Sequence, residues 1–302
     1  ISQRKEDWDG VEIPDGLRPA IEAVWSLNSN RTIHSTVEAA RVGDRVFPDI
    51  MPYQATGRFS IRPGLTVVGK RGGRHHERAM YLPDDGHVLM AFDLNQIDAR
   101  AIAMHSQDPD YMKLFIDPDI DSHRWVAKRL WGKDDDVHRN RAKAIAHGWN
   151  YGESLTRIAE DAGLDMSIVQ RFDTGMREQF PTLIKWRDEI REEARAGGLL
   201  GNGMGRKVKV RPDRAHTQAP AFMGQSLARD LLCEGILRLP VELVPNIRGV
   251  VHDELVMSVP VGDVEDVKVA VLEALQFEYR GVPVTAGFEG SGLTWADIYG
   301  GK

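Results

Sequence analysis

The sequence predicts an α+β fold in which strands flank a helical insertion. Residues 86–93 and 245–260 carry strand-like apolar runs, and residues 95–200 between them repeat apolar side chains at helical spacing. With 302 residues and 42% hydrophobic content the chain is long enough to bury a real core, as one large or two modest domains.

Taken in order, His87 to Asp93 reads as a buried strand, and Gln96 to Ser106 as a helix with Ile97, Ala101 and Met104 on one face. Gly197 to Gly205 reads as a turn between a charged helix and a basic strand, since its glycines fit neither a dinucleotide fingerprint nor a phosphate loop. A hairpin follows: Ile247 to Val251, a turn at His252 and Asp253, then Leu255 to Val259 broken by Pro260. Asp263, with Asp266 three residues on, reads as the start of a helix leading into Val267 to Leu275. There is no repeat and no low-complexity segment.

Composition narrows the function. The single cysteine, Cys233, excludes an intramolecular disulfide and a cysteine zinc cage, and its apolar neighbours suit a buried filler. The lead from Ile1 through Glu6 to Asp9 lacks a signal pattern and no stretch is apolar enough to span a bilayer, so a cytoplasmic protein without a membrane partner is expected. A formal charge of −6 argues against indiscriminate coating of nucleic acid. Two local patches are nonetheless basic: Arg58, Arg62, Lys70, Arg71, Arg74 and Arg78 against Glu77, and Arg206, Lys207, Lys209, Arg211 and Arg214 against Asp213. Taken alone, each reads equally as solvated surface.

Three clusters carry chemistry. Asp93 ends an apolar strand, where a carboxylate either caps the next helix or holds a hard cation. Arg139, Lys143, His147 and Tyr151 recur at four-residue steps, each advancing about 400° and about 6 Å on a helix, so they form a stripe about 18 Å long. Cations at one end suit a triphosphate and the aromatic at the other suits a base, although an ordinary basic helix face has the same pattern. Gly148 and Gly152 are costly in a purely structural helix and favour close approach by something else. The third cluster, His252-Asp253-Glu254, places two adjacent acids at a turn between apolar strands; it is either a polar turn or a place where a divalent cation meets them.

In combination these segments resemble the family A, DNA polymerase I-like, DNA polymerases. That family carries a strand ending in Asp-Tyr-Ser-Gln-Ile-Glu, a helix with Arg-x3-Lys-x3-Phe-Gly-x2-Tyr-Gly and a His-Asp-Glu hairpin, in this order. Here the counterparts are Asp93 to Asp98, Arg139 to Gly152 and His252 to Glu254. Thr56-Gly57-Arg58, Asp119 to His123, Gly205-Arg206-Lys207, Arg214 with Gln218-Ala219-Pro220, and Trp295 are similar as well, so the likeness covers roughly residues 40–300.

The resemblance implies a right-hand polymerase fold with an antiparallel palm sheet, a helical fingers insertion and a largely absent thumb. Residues 1–50 would be a thumb remnant or palm lead-in, 51–108 and 209–302 the palm, and 109–208 the fingers. It implies template-directed DNA synthesis from dNTPs on primer-template DNA, in a bacterial or phage-infected cell. Two Mg²⁺ ions, with Mn²⁺ as a substitute, would be held by Asp93, Asp253 and the Leu94 carbonyl. Glu254 would be an auxiliary carboxylate and His252 a support for the hairpin. Lys143 and Arg139 would bind the triphosphate, with Lys143 a candidate proton donor to pyrophosphate. Gln96, Asp98, His123, His147 and Tyr151 would complete the dNTP site, and Arg58, Arg214, Gln218, Gly152 and His252 would meet DNA.

Departures from the family pattern also carry expectations. His147 stands where Phe or Tyr is usual, Met223 where a minor-groove Gln is usual, and Asp98 where Glu blocks a ribose 2′-hydroxyl, so ribonucleotide exclusion is expected to weaken. The first fifty residues are too few for a usual thumb or a proofreading exonuclease, which suggests a truncated form or a minimal phage-type enzyme, with an upstream region or replisome proteins as partners. Single-subunit RNA polymerases usually lack the acid after His-Asp, so Glu254 speaks for DNA. The alternative of another class is a non-catalytic DNA-binding palm module or replisome scaffold.

Overall fold

The computed structural model describes residues 16–47, 49–52, 54–62 and 77–299. The acidic lead at Glu6 to Asp9 lies outside them, as do Lys70, Arg71 and Arg74 of the first basic patch.

Helix α1 (Arg18–Ala40) precedes two short hairpins, β1 (Arg41–Val42) with β2 (Arg45–Val46) and β3 (Asp49–Met51) with β4 (Ser60–Arg62). Strand β5 (His87–Leu94) then opens the main sheet. The helical insertion follows as α2 (Ile97–Ser106), α3 (Pro109–Ile116), α4 (Ser122–Trp131), α5 (Asp136–Asn150), α6 (Leu155–Ala162), α7 (Met166–Gln179) and α8 (Pro181–Arg195). The hairpin β6 (Leu199–Gly201) and β7 (Lys207–Lys209) leads to the long α9 (Ala215–Leu237). The chain returns through β8 (Ile247–Val251), β9 (Glu254–Pro260), α10 (Val264–Leu275), β10 (Phe277–Tyr279), β11 (Val282–Val284) and β12 (Ala286–Gly292). Among the described residues no helix is long and apolar enough to cross a membrane.

The four-stranded sheet runs β12-β5-β9-β8, antiparallel throughout. Alternation along β5 and β9 separates its faces. Met90, Phe92 and Leu94 with Leu255 and Met257 enter the main core beneath α2, α9 and α10, whereas Leu89, Ala91 and Val256 join Ile61, Val251, Trp295 and Ile298 on the other face. The strand and hairpin expected from sequence are present, with β5 one residue longer.

The glycine-rich stretch differs from its expected simple turn. Leu199–Gly201 is itself a strand paired with Lys207–Lys209, so the turn shrinks to residues 202–206. There the fully buried Asn202 accepts the amides of Met204 at 3.0 Å and Arg206 at 3.2 Å. Three residues are too few to show a two-residue period. Arg206 also departs from an exposed basic patch: it faces Asp230 at 3.6 Å and the Pro52 carbonyl at 3.3 Å.

Several helices of the insertion start on side-chain caps. Asp121 caps α4, Asp135 caps α5 and Ser154 caps α6. Asp108 does more. Its Oδ1 accepts the amides of Asp110 at 3.1 Å and Tyr111 at 3.0 Å at the start of α3, and its Oδ2 accepts those of Thr182 and Leu183, both at 3.0 Å, at the start of α8. One carboxylate, 1% exposed, therefore closes two helices that are far apart in sequence. Asp108→Ala leaves four amides, two of them buried, without their acceptor and should lower unfolding free energy by roughly 2–4 kcal/mol in urea titrations. A loss no larger than that of an exposed single cap would show the α3–α8 tie to be dispensable.

Candidate active site

The site assembles where the ends of β5 and the β8–β9 turn meet the first turns of α2. Register sets Asp93 opposite Glu254 on one side and opposite Gly287 on the other. The Leu94 amide donates to the Asp253 carbonyl at 3.1 Å, tying the strand end to the turn. His252 is exposed at φ 60° and lets that turn close. Among the described residues no three His, Cys, Asp or Glu side chains form a metal-binding group.

Electrostatics mark Asp93 and Asp253 as poised for a cation. Desolvation first, then the negative charges of Asp93 and Asp98, push the Asp253 carboxyl well above the usual carboxylate range, with Arg58 pulling the other way. Like charges held this close are stabilised by a hard divalent ion on oxygen ligands, and the residues present fit one.

Asp98 leads a second cluster. Its carboxylate accepts from the Arg58 guanidinium at 2.7 Å and from the Tyr151 hydroxyl. Arg58 also lies 3.3 Å from that hydroxyl. Burial, then the Asp98 charge, raises the Tyr151 pKa far above that of a free phenol. Arg58 arrives through Gly57, at φ +78°, where a Cβ would sit 2.4 Å from Cβ of Ser226; only glycine lets this turn lie on α9.

The predicted stripe exists along α5. Arg139 is paired with Asp121 at 2.8 Å, Lys143 is exposed, and the His147 ring stands nearly perpendicular to Tyr151 at 4.6 Å. His123 on α4 joins them, 9% exposed, its pKa pushed down to about 4 by burial, with Arg139, Lys143 and His147 adding to the shift. Desolvation also lowers the His147 pKa, against the pull of Asp98. Gln96, at φ 51° before α2, accepts from the Ser122 hydroxyl and links β5 to α4. The site thus opposes a group of acids to a row of two cations, Arg139 and Lys143, and two imidazoles that burial keeps neutral at pH 7.

Gly148 of α5 and Gly152 just beyond its end serve the protein's own packing. A Cβ on Gly148 would meet Glu153 at 2.5 Å and Ile158 at 2.9 Å, and one on Gly152 would meet the His216 carbonyl at 2.6 Å. That carbonyl is free because Pro220, four residues on within α9, has no N–H to donate to it. It accepts from Arg191 Nε at 3.2 Å instead, so Gly152, Pro220 and Arg191 lock α5, α9 and α8 together.

Gln218 lies in an open cleft with Tyr151, Glu153, Thr217, Ala221 and Gln225, and Arg214 is exposed just before α9. Gln225 was not singled out from sequence. Met223 is buried in a core cluster, while Gln225, two residues later on α9, reaches the Tyr151 hydroxyl. Its seven-residue spacing from Gln218, about two helical turns, was the available signal. Arg78, Trp295 and Tyr299 around Glu254 were likewise not assigned. Cys233 is half-buried, and burial raises its thiol pKa, as suits packing.

The sequence profile of DNA polymerase family A matches residues 22–297. The DNA polymerase of Mycobacterium phage D29 is 30% identical over 223 residues, covering 72% of this chain and 36% of that protein. The thermostable DNA polymerase I of Thermus filiformis is 29% identical over 248 residues, covering 74% of this chain and 29% of that protein. The chain therefore spans about a third of the length of these curated relatives. Among solved structures, the POL domain of Pol1 from M. smegmatis, in complex with DNA primer-template and dNTP, superposes with a TM-score of 0.75 at 22% identity, covering 92% of this chain and 53% of that one. That likeness shows the fold, the right-hand polymerase arrangement of an antiparallel sheet with a helical insertion. With the profile spanning nearly all of its length, the chain belongs to DNA polymerase family A.

Proposed function

We propose that the chain performs template-directed DNA synthesis, transferring a nucleotide from dNTP to a primer 3′-hydroxyl, with 51–108 and 209–302 as palm and 109–208 as fingers. The observation that carries this is the opposition of Asp93, Asp253 and Asp98 to the α5 stripe of the cations Arg139 and Lys143, with the imidazoles of His147 and His123, neutral at pH 7, along the same row. Asp93, Asp253 and the Leu94 carbonyl would hold two Mg²⁺ ions. When bound, these ions lower the pKa of the primer hydroxyl and neutralise the triphosphate and departing pyrophosphate.

The remaining work falls to side chains. Lys143 and Arg139 bind the triphosphate through charge-assisted hydrogen bonds, and Gln96 and His123 border it. Tyr151 ends the nucleotide pocket beside Gly152, where the template enters. Arg58, Arg214 and Gln218 donate to minor-groove acceptors common to all base pairs, testing pairing without reading sequence. Asp98, Arg58 and Tyr151 together form the sugar wall. In this arrangement Arg58 and Tyr151 converge on the shorter acid and would take up the space of the methylene that Asp lacks relative to Glu.

Primer extension with Mg²⁺ tests the reading directly. Asp253→Asn and Asp93→Asn should each lower extension by roughly a thousandfold, the scale of losing a principal electrostatic stabiliser, while DNA affinity stays near wild type. In EDTA either variant should melt about 2–4 °C higher, because a destabilising buried like charge is gone. Near-normal turnover in either variant would remove these residues from the metal site.

Sugar selection is read from kcat/KM for matched dNTP and rNTP. Asp98→Ala should lose about ten- to a hundredfold of discrimination, and Asp98→Glu should gain less than about threefold, because Arg58 already fills the gap. A large gain with Glu would mean the wall is open in the wild type; no loss with Ala would mean Asp98 is not the gate.

His147 predicts a pH effect. Its lowered pKa makes it neutral at and above pH 7, and protonation below the ordinary imidazole value of 6.5 adds a cation facing the triphosphate. The ratio of wild-type to His147→Phe kcat/KM for dNTP should therefore rise as pH falls below 6.5. A flat ratio would dismiss the interaction.

A further inference from the structure

Glu254 follows Asp253 directly, yet its surroundings differ. It opens β9 opposite Asp93 and opposite Val251 of β8, and is 3% exposed. Two residues on, Val256 faces the cluster of Ile61, Leu89, Ala91, Trp295 and Ile298, so strand alternation turns Glu254 to the same dry side. A carboxylate there requires a counter-charge. Arg78 supplies it, Nη1 lying 3.5 Å from Glu254 Oε1 with both side chains 4% exposed.

Arg78 is itself held on two aromatic faces. Its guanidinium lies 3.9 Å from the Trp295 ring centroid and 5.0 Å from that of Tyr299. The Trp295 amide donates to the Tyr81 carbonyl at 3.0 Å, and the two rings meet edge to face at 5.5 Å. Tyr299 lies against the Glu254 carboxylate as well. The short helical turn at 77–80 and the segment 295–299 thus brace each other around one guanidinium. Because Glu254 adjoins Asp253 and is registered with Asp93, anything that holds Glu254 also holds the strand end that bears both metal-site acids.

We propose that Arg78, clamped by Trp295 and Tyr299, is a positioning residue for the acidic hairpin, and that Glu254 acts as its buried anion rather than as a ligand to the catalytic ions. The planar guanidinium suits this place, since it can accept a carboxylate at its edge and two aromatic rings at its faces at once. The inference rests on the polymerase reading of the site.

The test is a double-mutant cycle read by primer extension over a Mg²⁺ titration, with a thermal melt and a DNA-binding isotherm for each protein. Arg78→Met and Glu254→Gln should each lower kcat by about tenfold and raise the Mg²⁺ concentration for half activity, because each removes one charge of a buried ion pair and loosens the turn. The double variant Arg78→Met/Glu254→Gln should return to within about threefold of wild type in both quantities, as a neutral pair needs no counter-charge. Arg78→Lys, which keeps the charge and loses the stacked plane, should fall between, and should serve if Arg78→Met does not fold. DNA affinity should be level throughout.

A double variant no better than Glu254→Gln would overturn the inference, since Glu254 would then act on the ions or substrate itself. Wild-type kcat and Mg²⁺ dependence in a folded Arg78→Met would overturn it too. A wild-type chain that extends no primer at any Mg²⁺ concentration defeats the polymerase reading, and this inference with it. Extension by the wild type with either of the preceding results defeats this inference alone.

Discussion

The pairing of β5 with β9 is the constraint on which the candidate site depends. These strands come from opposite sides of the whole helical insertion, and their register sets Asp93 beside the turn that carries Asp253. A slip of one residue would turn Asp93 to the opposite face of the sheet. Apolar packing forbids it: Phe92 opposite Leu255 and Met90 opposite Met257 are fully buried in the main core, and a shifted register would exchange them for residues of the other face. The position of the acids is thus a consequence of hydrophobic burial one to four residues along the same strands.

Around that sheet, polar ties rather than apolar contact alone orient the insertion. Arg100 donates to the carbonyls of Asn95 at 2.9 Å, Phe115 at 2.9 Å and Pro283 at 2.8 Å, joining the start of α2 to the end of α3 and to β11. Arg187 lies 3.7 Å over the Trp149 ring and donates to the Trp149 carbonyl, which anchors the end of α5 on α8. Asp108 caps two helices, and the carbonyl freed by Pro220 holds a third contact. Each is a buried group that would be costly alone, so each specifies one arrangement of helices over others. The cationic stripe of α5 acquires its direction toward the acids from these ties.

The site itself retains unfavourable electrostatics. Asp253 sits close to Asp93 and Asp98, and Arg58 neutralises only part of that charge. Glu254 belongs to a different regime, paired with Arg78 inside an aromatic shell. Two adjacent acids thus face opposite demands, one left in need of a cation and the other already matched. Asp253 lies in the turn, whereas Glu254 opens β9 on the face that packs around Trp295.

Much of this was legible in the chain itself. The apolar runs of His87 to Asp93 and 247–259 identified the central strands, because a buried strand must be apolar over its length. The four-residue spacing from Arg139 to Tyr151 identified one face of a helix, because helical geometry alone brings those positions together. The joint order of the three motifs pointed to the family. What the sequence could not express is who meets whom at long range. It read Gly148 and Gly152 as favouring close approach by something else, and only the structure shows that what approaches is the protein itself, through Glu153, Ile158 and the His216 carbonyl. It read Arg206 as part of a basic patch, whereas Asp230, on α9, faces it. It marked Met223 as a missing glutamine, while the turn of α9 carries Gln225 to Tyr151. It carried Glu254 beside Asp253, but only the packing of residues 77–81 against 295–299 supplied Arg78. Periodicity and motif order are local properties that a sequence states directly; counter-charges, carbonyl acceptors and close approaches are pairings of distant segments, which exist only once the core has fixed their register.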